Sequence, residues 1–425
     1  MFLYPTDLSV GYRNGEVSSF LSVSLFNMFY METVNNTVKI IKGFKYRIYP
    51  TESQKQVMEQ TFGNVRFVYN YFLNLRSQEW KTNHKSIAYS KTSSLLTDLK
   101  KEKDYSWLNL SDSMALQESL RDLDRAFQNF FRKNSNYPMF HSKHDRQSYR
   151  TRNQSNGIRI EANRIILPKI GKVKIKFSRD IKGRILNATV LRTKTNKYFL
   201  SLCCEYEEDI KPNSGGKIGI DVGIKEFYTD SNGTIVDNPK HLSRYEKKLL
   251  KEQRKLSHMI EMNIDHYIGN RVPVYKKPLS ECKNIQKQRL KLAKVHEKIS
   301  DSRSDFLHKE SLKLVKENQI IAVEDLNVKG MIRNHYLARS IADVSWSEFY
   351  RLLVYKAIEY GSSVIKIPRF YASSQTCHVC GCKNVVIKDL KIRKWICPVC
   401  GTHHDRDHNA AINILNETLK IQVSA

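Results

Sequence analysis

The stretch Lys217, Ile218, Gly219, Ile220, Asp221, Val222, Gly223 decides how this chain is read. It is a short apolar run with a carboxylate near its end. It follows Asn213, Ser214, Gly215 and Gly216, a linker composition. Such a run predicts a buried β-strand over Lys217 to Val222. Ile224 to Thr229 predicts a second strand. Ser231, Asn232 and Gly233 then turn the chain into a third through Ile235, because Asn-Gly is a strong hairpin-turn signal. A long basic helical stretch follows from about Leu242 to Lys316, interrupted near Pro273 and Pro278. Ile320 to Glu324 predicts a fourth strand, Trp346 to Tyr360 a helix stopped by Gly361, and Val364 to Ile367 a fifth strand. A last helix runs from Asp407 to about Leu419. Three meandering strands, then helix, strand, helix, strand, helix, is the order of an RNase H-like α/β domain.

Upstream the pattern differs. Phe44, Tyr46 and Ile48 alternate with Lys45 and Arg47 as a strand that Pro50 ends, and Thr51 with Gln54 makes a capping-box pattern for a helix. Helical spacing continues to about residue 135, with Leu116, Leu120, Leu123 and Phe127 on one stripe. After Pro138, alternation returns in Val173, Ile175, Phe177 and again in Tyr198, Leu200, Leu202, Cys204. Thr195 and Asn196 sit at a turn between strands. These segments predict a small β-barrel split in sequence by a helical insert. Residues 1–40 carry little charge and no clear period, and no role is assigned to them.

Three acidic residues stand at element ends of the first-described region. Asp221 follows Ile218, Gly219 and Ile220 on the first strand, Glu324 ends Ile320, Ile321, Ala322, Val323, and Asp407 opens the final helix before Asn409, Ala410, Ala411. Phosphodiester hydrolysis needs an activated water and a stabilised leaving oxyanion. Two Mg²⁺ ions about 3.5–4 Å apart supply both, and Mg²⁺ prefers carboxylate oxygens. Gly219 and Gly223 flank the first carboxylate and would let a sugar-phosphate chain approach. Singly, Asp221 also reads as a turn residue, Glu324 as a solvated strand end and Asp407 as a helix cap. Jointly they fit one acidic site. Asp325 and Asp405 are close alternatives. Glu324 is preferred because it continues the strand, and Asp407 because it leads directly into the helix.

The chain has eight cysteines, and Cys377, Cys380, Cys397 and Cys400 form two C-x2-C pairs separated by residues 381–396. That spacing predicts a closed, four-thiolate structural zinc site in a reducing cytoplasm. His378, Cys382, His403 and His404 are competing but weaker ligands. One of Cys203 and Cys204 reads as a small core residue, and Cys282 has no evident partner.

Lys and Arg number 71 against 43 Asp and Glu, so the 425 residues carry a formal charge of +28. Such an excess points to a large polyanion as partner. No apolar run is long enough to span a bilayer, and no signal peptide is read. Arg66, Tyr69, Arg121 and Arg125 are candidate nucleic-acid contacts, with salt bridges and core packing as the competing reading. Arg244, Lys247, Lys248, Lys251, Arg254 and Lys255 form a denser run for which a phosphate-facing role is favoured. No compact helix-turn-helix or tandem-finger module is evident that could read a long DNA site.

Taken together, the residues Gly219 to Gly223, Val323 to Met331, the paired cysteines and Asp405 to Ile414 resemble those of the TnpB proteins carried by insertion sequences. Phe44 to Pro50, Phe62 to Asn70, Leu123 to Phe131 and Leu167 to Gly171 extend the likeness over about residues 42–418. TnpB proteins are regarded as ancestors of the type V CRISPR effectors and also carry the older description transposase. The resemblance implies a multidomain α+β chain. Residues 41–50 and 136–213 would be a β-barrel wedge domain and 51–135 a helical recognition domain. Residues 214–372 and 404–425 would be a RuvC-like nuclease domain, with 373–403 a zinc-ribbon insert. It further implies a Mg²⁺-dependent DNA endonuclease using Asp221, Glu324 and Asp407. Structural Zn²⁺ would be held by Cys377, Cys380, Cys397 and Cys400. The expected partners are a guide RNA from the transposon end and target double-stranded DNA beside a short motif, with no membrane. A nuclease-inactive nucleic-acid-binding regulator and a transposase acting directly in strand transfer are the alternatives.

Overall fold

The structure is a computed structural model that describes residues 37–269 and 271–423; nearly all of the expected extension, residues 1–36, lies outside it. The first element is β1 (Thr37–Tyr49), longer than its alternating centre suggests. Ile40, Phe44, Tyr46 and Ile48 are buried while Lys45 and Arg47 face outward or partly so. Thr51 caps α1 (Glu52–Asn83) as expected: its Oγ1 accepts from the Gln54 N–H at 3.3 Å, and the Gln54 side chain accepts from the Thr51 N–H at 3.1 Å. α2 (Tyr89–Leu99), a 3-10 turn and α3 (Ser113–Phe131) fold against α1 around Val68, Phe72, Leu96, Leu116 and Leu120.

Six further strands follow: β2 (Gln147–Arg152), β3 (Arg159–Glu161), β4 (Arg164–Leu167), β5 (Gly171–Lys176), β6 (Arg184–Arg192) and β7 (Tyr198–Asp209). With β1 they form one antiparallel sheet in the order β2-β6-β7-β1-β5-β4-β3. β1 lies in the middle, paired with β7 from Thr37↔Asp209 to Ile48↔Tyr198 and with β5 at Tyr49↔Lys174. The helical insert therefore leaves the sheet and returns to it. One face of every strand but the short β3 contributes to a single core that includes Tyr46, Tyr149, Leu167, Val173, Val190 and Leu200, so the sheet is strongly curled. Its ladder stays open between β2 and β3. Cys204 is fully buried in this core.

The second sheet has the order β10-β9-β8-β13-β14. β8 (Gly216–Val222), β9 (Glu226–Asp230) and β10 (Ile235–Asp237) are the meander; β13 (Asn318–Val323) and β14 (Ser363–Lys366) add in parallel. Alternation along β13 sorts the layers. Ile321 and Val323 face α5 (Lys283–Glu317) and α8 (Trp346–Tyr360) through Leu314, Val315, Phe349 and Leu352, whereas Ala322 faces Ile414 of α9 (Arg406–Val423).

The long stretch expected to be an interrupted helix is different. Between α4 (His241–Glu261) and α5 the chain forms a β-hairpin, β11 (Ile264–Ile268) and β12 (Val272–Tyr275). Pro273 does not break a helix there; it sits in a two-stranded ladder that has free edges to receive it. α6 (Val328–Met331) and α7 (His335–Val344) precede α8. The cysteine insert, with β15 (Lys394–Ile396) and β16 (His403–Asp405), separates β14 from α9. Glu359 of α8 ties the two sheets, accepting ion pairs from Lys42 of β1 and from Lys211 just beyond β7. Among the described residues no helix is long and apolar enough to cross a membrane.

Candidate metal-dependent nucleic-acid site

In the parallel pair β8 and β13, Ile220 lies opposite Val323. The next residue on each strand is Asp221 and Glu324, so the two carboxylates emerge side by side at the carboxyl end of the sheet. Gly219, two residues earlier, has a different task from the one expected. A Cβ there would stand 2.1 Å from the Ala411 carbonyl oxygen, so the missing side chain lets α9 cross β8 rather than admitting a ligand. The Gly223 side is likewise closed, 2.9 Å from the Glu226 carbonyl oxygen. That close crossing delivers the start of α9, and with it Asp407, to the same end of the sheet.

The two adjacent acids differ from the preferred ones in what they touch. Asp405 Oδ1 accepts from the backbone N–H groups of Asp407 (3.1 Å) and His408 (3.2 Å), which makes it the cap of α9. Asp325 accepts from Lys366 Nζ and Arg369 Nε, each at 2.9 Å. Burial works against its ionisation, but those two bonds outweigh it and hold the carboxyl below the usual range. Asp221 goes the other way. Close packing raises its pKa well above the ordinary value, and the charges of Glu324 and then Asp407 raise it further. The residue as a whole is nonetheless only partly buried. Burial also raises Glu324, opposed by a hydrogen bond from Ser373.

That bond was not legible in sequence. Ser373 is buried and its Oγ donates to Glu324 Oε1 at 2.8 Å. Its backbone is pinned on both sides: the Asn413 amide donates to its carbonyl at 2.8 Å, and its own N–H donates to the Tyr371 carbonyl at 3.0 Å. Arg393, from the cysteine insert, also went unread. Its Nη1 donates to both oxygens of Asp407, at 3.1 and 3.0 Å. Among the described residues only the four cysteines bring their ligand atoms within 4.8 Å of one another; the three carboxylates stand further apart.

The cysteine pairs are two copies of one turn. In the first, the Gly381 N–H donates to the Cys377 carbonyl and the Cys377 N–H to the Cys382 carbonyl; in the second, Gly401, Cys397 and Thr402 repeat those bonds. Each turn needs a left-handed residue, which Gly381 (φ 75°) and Gly401 (φ 68°) supply. Cys377 and Cys400 sulfurs are 3.6 Å apart and those of Cys380 and Cys397 3.5 Å. A tetrahedron with Zn–S near 2.3 Å has edges of about 3.8 Å, so the set fits zinc. The Thr402 hydroxyl, 3.2 Å from Cys400 Sγ, holds that thiol down to about 6, towards the thiolate that a metal requires. His404 lies outside the set, with Nε2 3.1 Å from Cys377 Sγ and Nδ1 buried without a partner. His378 is engaged by Asn409 Oδ1. Asn409 and Asn413, one turn apart on α9, both donate to the Thr376 carbonyl and clamp the insert to the helix that carries Asp407.

The basic and aromatic candidates of the helical region are occupied within the protein. Arg66 donates to Gln147, Tyr69 stacks on His141 at 3.9 Å, Arg121 pairs with Glu118 and covers the Tyr89 ring, and Arg125 pairs with Asp122. Arg121 and Arg125 stay 39% and 44% exposed beside these partners. All six cations of the α4 run are exposed.

Three family models match the chain. One described as a Cas12f1-like TNB domain covers residues 346–414, one described as a probable transposase covers 201–335, and one described as a helix-turn-helix domain covers 40–85. The last carries a helix-turn-helix description, while residues 40–85 fold as most of β1 and the single unbroken helix α1. A protein of Streptomyces pristinaespiralis named "Putative RNA-guided DNA endonuclease" is 36% identical over 388 residues, 89% of each chain. One of Escherichia coli K12, "Putative RNA-guided DNA endonuclease InsQ", is 31% identical over 396 residues, 89% of this chain and 92% of that protein. The fold is shared with a Cas12f1 structure solved as a complex with guide RNA and target DNA: TM-score 0.54, 15% identity, 90% of this chain and 99% of that one. With relatives above 30% identity aligned over nearly the whole length of both chains, the chain belongs to the TnpB family, which insertion sequences carry.

Proposed function

We propose that this chain is an RNA-guided, Mg²⁺-dependent DNA endonuclease that cleaves double-stranded DNA beside a short motif. The observation that carries the reading is the junction of Asp221, Glu324 and Asp407. Three carboxylates from β8, the end of β13 and the first turn of α9 converge where charging Asp221 is opposed by its neighbours. An acidic cluster of that kind is stabilised by a divalent cation. The five-stranded order, three antiparallel strands followed by two parallel additions, supports an RNase H-like, RuvC-type core. The curled sheet would be the wedge domain, α1 to α3 the recognition domain, and the cysteine insert a zinc ribbon. The names of the relatives support guidance by RNA over direct strand transfer or regulation without cleavage.

In this reading Asp221, Glu324 and Asp407 hold Mg²⁺, which would polarise the scissile phosphate and lower the pKa of the attacking water. The chain's own groups do the rest. Ser373 fixes one oxygen of Glu324 and leaves the other to face the site. Asp405 anchors the start of α9 so that Asp407 projects from a rigid turn. Arg393 supplies a cation beside Asp407 near where phosphate charge accumulates. The overall charge of +28 provides for the phosphate backbones of guide and target. The test is alanine substitution of each carboxylate in the RNA-loaded protein. Cleavage lost with target binding kept supports the site; full cleavage by Asp221→Ala removes it, and full cleavage by Asp407→Ala moves the third role to Asp405.

A further inference from the structure

The segment between β10 and β13 is larger than the sheet requires. α4 and the first half of α5 pack as an antiparallel pair, with Leu242, Tyr245 and Leu249 against Leu292, Val295 and Ile299. The Gln288 amide donates to the Glu252 carbonyl at 3.0 Å across the pair. Further along, Phe306 meets Phe227 at 4.8 Å, beside Gly223 at the carboxyl end of β8. α5 then covers the sheet through Leu314 and Val315 and ends where β13 begins. Residues 241–299 therefore project as an arm beyond the end of the sheet that carries Asp221 and Glu324. Its 21-residue α4 is about 31 Å long at 1.5 Å per residue.

One face of that arm is uniformly cationic. Arg244, Lys247, Lys248, Lys251, Arg254 and Lys255 fall within about 120° of arc, on the side away from Leu249. All six are exposed, and none stands in an ion pair among the described residues. The nearby carboxylates are taken elsewhere, Glu246 by Arg339 and Glu252 by Gln288. Salt-bridged solvent faces interleave both signs, and this face does not. At the tip, β11 and β12 form a hairpin with no third strand among the described residues, an element marginal by itself in water. It nevertheless presents Tyr267, Ile268 and Val272 at 56, 58 and 62% exposure. A cationic track ending in an exposed aromatic is the combination that holds a nucleic-acid strand through its phosphates and stacks one of its bases.

We infer that this arm is the track for the DNA strand presented to the carboxylate site, with phosphates along the α4 face and a base against Tyr267. The choice of DNA rests on the endonuclease reading and on the arm's place at the carboxylate end of the sheet; contact with the guide RNA is the competing outcome. The test uses the full chain with its co-purified RNA and a photo-crosslinking residue in place of Tyr267, irradiated with labelled target DNA. A DNA adduct is expected, and it supports the arm whether or not cleavage follows. An adduct with RNA alone, or none, overturns it. In parallel, Lys247→Gln, Lys251→Gln and Arg254→Gln together should lower the slope of log affinity for target DNA against log salt by about 2, at roughly 0.7 per single-strand phosphate contact. RNA and zinc content should be unchanged. An unchanged slope also overturns the arm. Guided cleavage by the unmodified protein without these effects refutes the arm alone, whereas absence of guided cleavage refutes the endonuclease reading.

Discussion

Replacing Ser373 with alanine removes one oxygen atom and tests how the acidic site is held. Its hydroxyl donates to Glu324 Oε1 at 2.8 Å from a buried position, and no other donor to Glu324 is described. A hydrogen bond to a charged group contributes about 1.5–3 kcal/mol net. Part of that survives in any metal-bound state, and loss of groups that orient metal ligands typically costs about 10–100-fold in metal affinity. We therefore expect Ser373→Ala to raise the half-saturating Mg²⁺ concentration for cleavage by about tenfold or more, with kcat at saturating metal reduced less. Ser373→Thr, which keeps the hydroxyl, should recover most of the loss. The bond favours the ionised form of Glu324, whose carboxyl burial already raises. Losing it raises that pKa further, so the acid limb of the rate profile should move to higher pH. Calorimetric Mn²⁺ titration reads the same effect without turnover. Unchanged metal dependence, with zinc content and melting temperature intact, would refute the positioning role.

Other outcomes follow from the same geometry. Asp221 is held above the usual carboxylate range, so in chelator the folded state loses stability as pH rises from that range toward the raised pKa. Asp221→Asn should flatten this dependence and raise Tm at pH 7 by a few degrees while abolishing cleavage; a lower Tm refutes the like-charge argument. The purified protein should contain one zinc per chain, and Cys397→Ser should lose it along with folding yield, whereas Cys282→Ser should not. Arg393→Gln should tighten Mn²⁺ binding, since the guanidinium no longer competes for Asp407. Its pair is half exposed and worth at most about 1 kcal/mol, so the gain should stay within about fivefold. Weaker binding would show that Arg393 helps to hold the ion.

Much of the second sheet was legible because its strands are apolar runs bounded by Gly and Asn, and the carboxylates stood where those runs stop. The cysteine spacing was legible because two C-x2-C pairs leave little else to build. What escaped depended on contacts distant in sequence. Ser373 is an ordinary serine until β14 and α9 place it against Glu324. Arg393 is one of 71 basic residues until the insert folds back on Asp407. Gly219 looks in sequence like room for a ligand, but its close neighbour is a helix nearly 200 residues later. The hairpin of β11 and β12 was hidden because Pro273 within it and Pro278 just beyond it look like helix breaks. Arg66, Tyr69, Arg121 and Arg125 illustrate the converse: residue types suited to nucleic acid also have partners within the protein.

Guidance is the centre of the account, and swapping the guide tests it most directly. The protein is purified with its RNA, stripped, and reloaded with RNAs that differ only in the guide segment. Cuts are then mapped on one double-stranded DNA pool in Mg²⁺. Each guide should move the cut to its own complementary site, and stripped protein should not cut. Cleavage at the same positions with every guide, or equally without RNA, would contradict it.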